Sequence, residues 1–148
     1  MIYMKPIILA SDHGGFELKQ KIKRHLGYKD YAVEDVGTDS VESVDYPVFA
    51  KKAVERVLHH NSYGIFICGS GIGICVAANR NKGIHAALIQ SGKHSEEYAR
   101  LSREHNNANV LCLGGRFIDE DEAVKLVDIF LETKFDKRHA KRVEMLDD

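Results

Sequence analysis

Five short β-rich apolar runs alternate with five amphipathic segments along this chain, and that alternation restricts it to a parallel α/β architecture. The runs are residues 6–10 (PIILA), 32–36 (AVEDV), 63–68 (YGIFIC), 84–89 (IHAALI) and 109–113 (NVLCL). Those at 63–68 and 109–113 are apolar on both faces, as parallel strands covered by helices on either side must be. Between them, residues 16–26 set Phe16, Leu18, Ile22 and Leu26 near one helical stripe, and Pro47 marks the start of a second helix. Further helices are expected over 72–80, 93–104 and 120–132, the last with Val124, Val127 and Leu131 on one face. Strand–helix–strand units of this kind close right-handed. With no internal repeat, no linker and only two prolines, residues 1–148 read as one α/β domain, with a basic C-terminal segment from about residue 134 (KFDKRHAKRVEMLDD).

The 148 residues suffice to bury a core, and 29% charged against 44% hydrophobic residues is the balance of a globular protein. A formal net charge of -1 gives no electrostatic reason to expect nucleic acid or a membrane surface as partner. The N-terminal apolar run is too short for a signal sequence and breaks at Asp12, and no stretch approaches the roughly 18 apolar residues of a membrane span. Cys68, Cys75 and Cys112 are odd in number and lie in apolar surroundings, which fits a reduced, cytoplasmic setting.

In open α/β sheets ligands bind beyond the carboxyl ends of the strands. Attention therefore falls on SDHGG (11–15), GTDSVESVDYP (37–47), CGSGIG (68–73), QSGKHS (90–95) and GGRF (114–117). Gly69, Gly71 and Gly73 follow a strand and open a helix, so their amides can point into an open pocket that suits an anion. A Walker loop would end in Gly-Lys-Ser/Thr, and a dinucleotide fingerprint would place its third glycine where Ile74 stands, with an acidic residue near Gln90. Neither is present, and a plain strand-to-helix turn stays open as the alternative.

Cys68 stands at a strand end beside a helix N-terminus, a setting that lowers a thiol pKa and equips it as nucleophile or base. Burial as a small apolar residue is the competing description, and the better one for Cys75 and Cys112. Asp12 and His13 follow the first strand, where they either handle protons and sugar hydroxyls or cap the next helix. His105 and Asn106 lie just ahead of the fifth strand. Arg138 and Arg142, four apart, share a face if their segment is helical, and two planar guanidiniums suit a phosphate as well as a solvated basic helix end. Metal ligation is not expected: the cysteines lack CxxC spacing and His59 and His60 are adjacent.

Taken in order and spacing, ASDHGGFELK, VGTDSVESVDYP, ICGSGIGICVAANR, SREHNNANVLCLGGR and RHAKRV resemble the ribose-5-phosphate isomerase type B family, which includes allose-6-phosphate and galactose-6-phosphate isomerases. The resemblance spans nearly the whole chain. It implies a Rossmann-like three-layer αβα sandwich with a five-stranded parallel sheet. It also implies a small-molecule sugar phosphate substrate, no metal or organic cofactor, and a homodimer with sites between subunits; a tetramer is the other assembly the residues leave open.

Carried over residue by residue, the resemblance makes Cys68 the base that moves a proton between C1 and C2 of the open-chain sugar, and gives the enediolate to Gly69, Gly71 and Gly73. Ser70 keeps the hydroxyl that assists proton transfer between the oxygens. His105, with Asp12 nearby, matches the residues that open the furanose ring. His13, Arg138 and Arg142 match the phosphate-binding set, joined by Arg116 from the neighbouring subunit, and Tyr46 and Asn106 line the sugar. Members that replace the cysteine carry a glutamate further along the loop; here that region reads GIGICV, so the chain is of the cysteine type. The substrate expected is ribose 5-phosphate, interconverted with ribulose 5-phosphate through a cis-enediolate. The alternatives are the six-carbon allose or galactose 6-phosphates, a non-catalytic sugar-phosphate-binding module, and a thiol acyl-transfer enzyme pairing Cys68 with His105.

Overall fold

The computed structural model describes residues 5–148. In chain order its regular elements are β1 (Ile7–Ser11), α1 (Phe16–Tyr28), β2 (Val33–Asp35), α2 (Tyr46–His60), β3 (Gly64–Cys68), α3 (Ile72–Asn79), β4 (Ala86–Leu88), α4 (Ser95–Glu104), β5 (Val110–Gly114), α5 (Glu120–Glu132) and α6 (Ala140–Glu144). The strands form one sheet in the order β2-β1-β3-β5-β4, and every neighbouring pair is parallel.

Period-two alternation divides the central strands between two cores. Ile7, Leu9, Ile65, Ile67, Leu111 and Leu113 pack against α1, α4 and α5, through Leu18, Ile22, Leu26, Ala99, Leu126 and Phe130 among others. Ile8, Ala10, Phe66, Cys68, Val110 and Cys112 pack on the opposite side against α2 and α3, through Val54, Val57, Ile74 and Ala78. The result is the three-layer αβα sandwich expected. Every residue of β1, β3 and β5 is buried, and each large side chain sealed there stabilises the fold by about 1.5–3 kcal/mol relative to exposure.

The edge strands are shorter than the apolar runs that announced them. β2 and β4 keep three residues each, half-buried, because each pairs on one side only. The fourth helix begins at Ser95 rather than residue 93, since Gly92 with φ +152° still belongs to the turn. The C-terminal segment is not one helix. Asp136 caps a 3₁₀ turn over Lys137–His139, α6 follows, and a second 3₁₀ turn covers Met145–Asp147. Arg138 and Arg142 therefore sit on different elements, yet both border one cavity of about 470 Å³ with His139 and Lys141. Among the described residues no helix is long and apolar enough to cross a membrane.

Candidate active site

The carboxyl ends of β1, β3 and β5 converge, and three glycine-bearing turns interlock there. Cys68, the last residue of β3, is 4% exposed. Its carbonyl accepts the Gly115 N–H (2.9 Å), and the Gly69 carbonyl accepts the Arg116 N–H (3.1 Å). Gly71, the N-cap of α3, has φ +79°, and a Cβ there would stand 2.7 Å from both the Leu113 carbonyl carbon and Leu88 Cδ1. Only glycine combines that left-handed conformation with that proximity. A Cβ on Gly14 would meet the Gly69 amide nitrogen at 2.9 Å, so the turn after β1 lies directly on the turn after β3.

Around this seam stand most of the side chains singled out from the sequence. Arg116 Nη1 would be 3.0 Å from a Cβ on Gly69, which puts the guanidinium of the same chain over the loop. The Tyr46 ring, in the first turn of α2, covers Gly73, where a Cβ would meet Cζ at 2.7 Å. The Ser70 hydroxyl accepts the Ile72 N–H at 3.2 Å. The α3 ladder starts with Cys75 N–H to the Gly71 carbonyl, which leaves the Gly73 and Ile74 amides without partners in the helix. Asp12 is buried and acts as a cap: Oδ1 accepts the N–H groups of Gly14 (2.9 Å) and Gly15 (3.2 Å).

His13 accepts the Val44 N–H on Nδ1 at 3.1 Å. A proton on Nδ1 is thereby excluded, so the neutral ring carries its hydrogen on Nε2 as a donor. Val44 belongs to the 37–45 loop, within the GTDSVESVDYP segment (37–47) that the sequence singles out. The loop is pinned at its start by Asp35, which accepts the Gly37 N–H (3.0 Å) and pairs with the buried Lys19 (2.5 Å) and with Lys23 (3.3 Å).

His105, Asn106, Arg138 and Arg142 lie elsewhere. His105 caps the C-terminus of α4 and Asn106 follows it, ahead of the amino end of β5. Gly64 N–H donates to the Asn109 carbonyl at 2.9 Å, which fixes this turn at the start of β3, whereas Cys68 closes that strand. Four residue steps of strand separate the two levels by about 13 Å. The proximity of His105 to Asp12 expected from the sequence is thus not realised within one chain, because Asp12 follows a strand and His105 precedes one. The His105 ring instead stacks on His139, centroids 4.4 Å apart and 40° between planes. The basic segment is tied to the same end, since Asp136 N–H donates to the Glu104 carbonyl (2.9 Å) and Asp147 Oδ1 accepts the Gly83 N–H (3.1 Å).

The remaining thiols differ from each other. Burial pushes Cys112 well above the ordinary thiol range, reinforced by its contact with Cys75. Cys75 is only half-buried, and a hydrogen bond from the Cys112 thiol lowers its pKa against the opposing effect of burial, with help from Asn79. Both thiols pack in the α2/α3-side core as apolar residues, Cys112 fully buried and Cys75 only partly. Among the described residues no group of three His, Cys, Asp or Glu side chains comes together to hold a metal ion.

The side chains singled out from the sequence thus fall into two groups, Cys68 and the glycine turns at the carboxyl ends of the strands and His105 with the C-terminal basic segment toward the amino ends. A family model described as Ribose/Galactose Isomerase matches residues 7–146. The probable ribose-5-phosphate isomerase B of Mycoplasma pneumoniae is 45% identical over 141 residues, covering 93% of this chain and 90% of the relative. Among solved structures, a ribose 5-phosphate isomerase from Thermotoga maritima is 48% identical with a TM-score of 0.91, covering 98% of this chain and 99% of its own. The ribose-5-phosphate isomerase B of Mycoplasma genitalium, solved with bound ribulose-5-phosphate, is 42% identical with a TM-score of 0.90, covering 97% and 95%. With the family model covering residues 7–146 and relatives of similar length at 45–48% identity, the chain belongs to the ribose/galactose isomerase family.

Proposed function

We propose that this protein interconverts D-ribose 5-phosphate and D-ribulose 5-phosphate, the whole chain acting as one sugar-phosphate isomerase domain. The observation that carries the reading is the placement of Cys68 at the end of β3, inside a ring of glycine turns roofed by Arg116 and Tyr46. Removing a proton from carbon beside a carbonyl requires a base and a cradle for the oxyanion that develops. The Cys68 thiolate takes the C2 proton of the open-chain aldose, the electron pair moves onto the carbonyl oxygen, and the enediolate charge rests against peptide N–H groups of the 69–73 turn. Ser70 moves a proton between O1 and O2. Return of the proton from Cys68 to C1 completes the ketose, so no oxidant or reductant is consumed.

The second half of the site comes from another copy of the chain. Proton transfer needs heavy atoms within about 2.6–3.2 Å, which His105 and Cys68 of one chain do not approach. A homodimer that joins unlike ends supplies His105 for ring opening, Asn106 for the sugar, and Arg138 and Arg142 for the phosphate, opposite His13 as an Nε2–H donor. Ile72 (52% exposed) and Val76 (58%) on α3, with Val48 (51%) on α2, give such a partner an apolar surface beside the glycine turn. Three free cysteines support a reducing, cytoplasmic setting. The bound ribulose-5-phosphate of the Mycoplasma genitalium relative favours the five-carbon substrate.

The deciding experiment assays purified protein on ribose 5-phosphate, allose 6-phosphate and galactose 6-phosphate side by side, with and without chelator. Ketose formed fastest from ribose 5-phosphate, unaffected by chelator and lost in Cys68→Ala, is the expected result. Faster turnover of a hexose phosphate reassigns the substrate, and near wild-type kcat in Cys68→Ala removes the thiol from its role as base.

A further inference from the structure

One buried cation ties together the parts of the amino-end half-site that are far apart in sequence. Arg103, in the last turn of α4, is 4% exposed. Its Nη1 donates to Asn107 Oδ1 (2.9 Å) and to the Ala108 carbonyl (2.6 Å). Its Nε donates to the Thr133 carbonyl (3.3 Å) and its Nη2 to the Tyr63 hydroxyl (2.8 Å). The guanidinium also lies over the Tyr63 ring, 4.6 Å from the centroid, and 5.8 Å from that of Phe130.

The partners matter more than their number. Asn107 and Ala108 immediately follow His105 and Asn106, so Arg103 grips the chain on both sides of that pair. Asn107 adopts φ +49°, and the turn closes through Ala108 N–H to the Ser102 carbonyl (2.9 Å). Thr133 is the C-cap of α5, where the chain sets out toward Arg138 and Arg142. Three residues on, Asp136 N–H is held by the Glu104 carbonyl (2.9 Å), and His139 then reaches the His105 ring. A planar fork of fixed N–H directions can hold two backbone segments in one register, which a lysine ammonium cannot.

We propose that Arg103 is a positioning residue for the donated half-site, setting His105 and Asn106 against Arg138 and Arg142 without touching substrate. The proposal rests on the composite-site reading above. Misplacement of such groups by about 1 Å costs roughly 10²-fold in rate, so Arg103→Lys and Arg103→Met are expected to lose kcat/KM on that order.

The test is complementation in mixed dimers, made by co-expression with two affinity tags. Cys68→Ala damages only the carboxyl-end half and Arg103→Lys only the amino-end half. Their heterodimer therefore contains one site built from two intact halves, and about half of wild-type turnover per dimer should return. A Cys68→Ala and His105→Ala heterodimer is the control for composite sites. If the control recovers and the Arg103→Lys pair does not, Arg103 acts on the whole fold and the positioning role is overturned. If the control also fails, the composite reading falls, and Arg103 is then judged by the imidazole proton resonances of His105 and His139. Those resonances should move in Arg103→Lys and in Arg103→Met, because the stack is disturbed; unmoved resonances, or wild-type kinetics in both homodimers, overturn the proposal.

Discussion

The ammonium of Lys19 lies 2.5 Å from the Asp35 carboxylate with 1% of its side chain exposed. Burial alone would raise the pKa of Asp35, but the Lys19 hydrogen bond, the Gly37 N–H and the charge of Lys19 outweigh it and leave the carboxyl below its usual range. Removing Lys19 takes one charged hydrogen bond from Asp35 while Lys23 and the Gly37 N–H remain, at a cost of about 1.5–3 kcal/mol. Lys19→Met should therefore lower stability to urea by that amount. Because the folded-state pKa is depressed, the pair's contribution is present above the unfolded carboxyl value of about 4 and is lost as pH falls through the folded value. Urea midpoints measured from neutral pH downward should fall more steeply for wild type than for Lys19→Met. Parallel curves would show that the pair contributes no pH-dependent stability.

Two glycines make a contrasting pair. Gly71→Ala places a Cβ 2.7 Å from backbone and from Leu88 at φ +79°, so strain of about 1–2 kcal/mol from the left-handed conformation adds to a collision that cannot relax. Turnover should drop sharply, because the turn proposed to carry the oxyanion donors must shift. Gly27, near the end of α1, has open space around its Cβ position. Gly27→Ala should stabilise by about 0.5–1 kcal/mol with unchanged kinetics. Thermal melts and steady-state assays on both variants check the pair.

Much of this fold is legible in the amino-acid sequence, and the parts that are not share a cause. β3 and β5 announce themselves because both faces of a central parallel strand are buried; β2 and β4, paired on one side, are overestimated by their apolar runs. The motifs around Asp12, Cys68 and Arg138 are local, so their residues can be read in place. Which residues share a cleft is not local: Asp12 and His105 both adjoin strands, but at opposite ends. The role of Arg103 is invisible in the same way, since its partners include two carbonyls, an amide oxygen and the hydroxyl of Tyr63, 40 positions earlier. No spacing rule encodes a guanidinium that reads backbone.

Cys75 and Cys112 should react in a fixed order relative to each other. Cys75 is half-buried and held toward the thiolate by Cys112 and Asn79, whereas burial keeps Cys112 protonated. Iodoacetamide near pH 8 should label Cys75 of the native protein first and Cys112 only after unfolding. Asn79→Ala, which deletes the donor 3.6 Å from Cys75 Sγ, should slow that first labelling. Peptide mass spectrometry over time gives the order directly, and early labelling of Cys112 would contradict the packing.

Arg138 and Arg142 border the same cavity but are not equally committed within the chain. Arg138 Nε is 2.9 Å from Asp136 Oδ2, while among the described residues no ion pair engages Arg142. Asp136 also accepts the Arg138 N–H at 3.1 Å, so Asp136→Asn keeps the cap and removes the ion pair, and should change KM little. Arg142→Ala removes the guanidinium proposed to hold the phosphate; charge-assisted hydrogen bonds contribute about 1.5–3 kcal/mol. KM for ribose 5-phosphate should rise by about 10–10²-fold, with a much smaller change in kcat. Inhibition by inorganic phosphate should weaken in parallel, because both anions use the same fork. Arg142→Lys, which retains charge but not bidentate geometry, should fall between the two. An unchanged KM in Arg142→Ala would move the phosphate site away from the C-terminal segment.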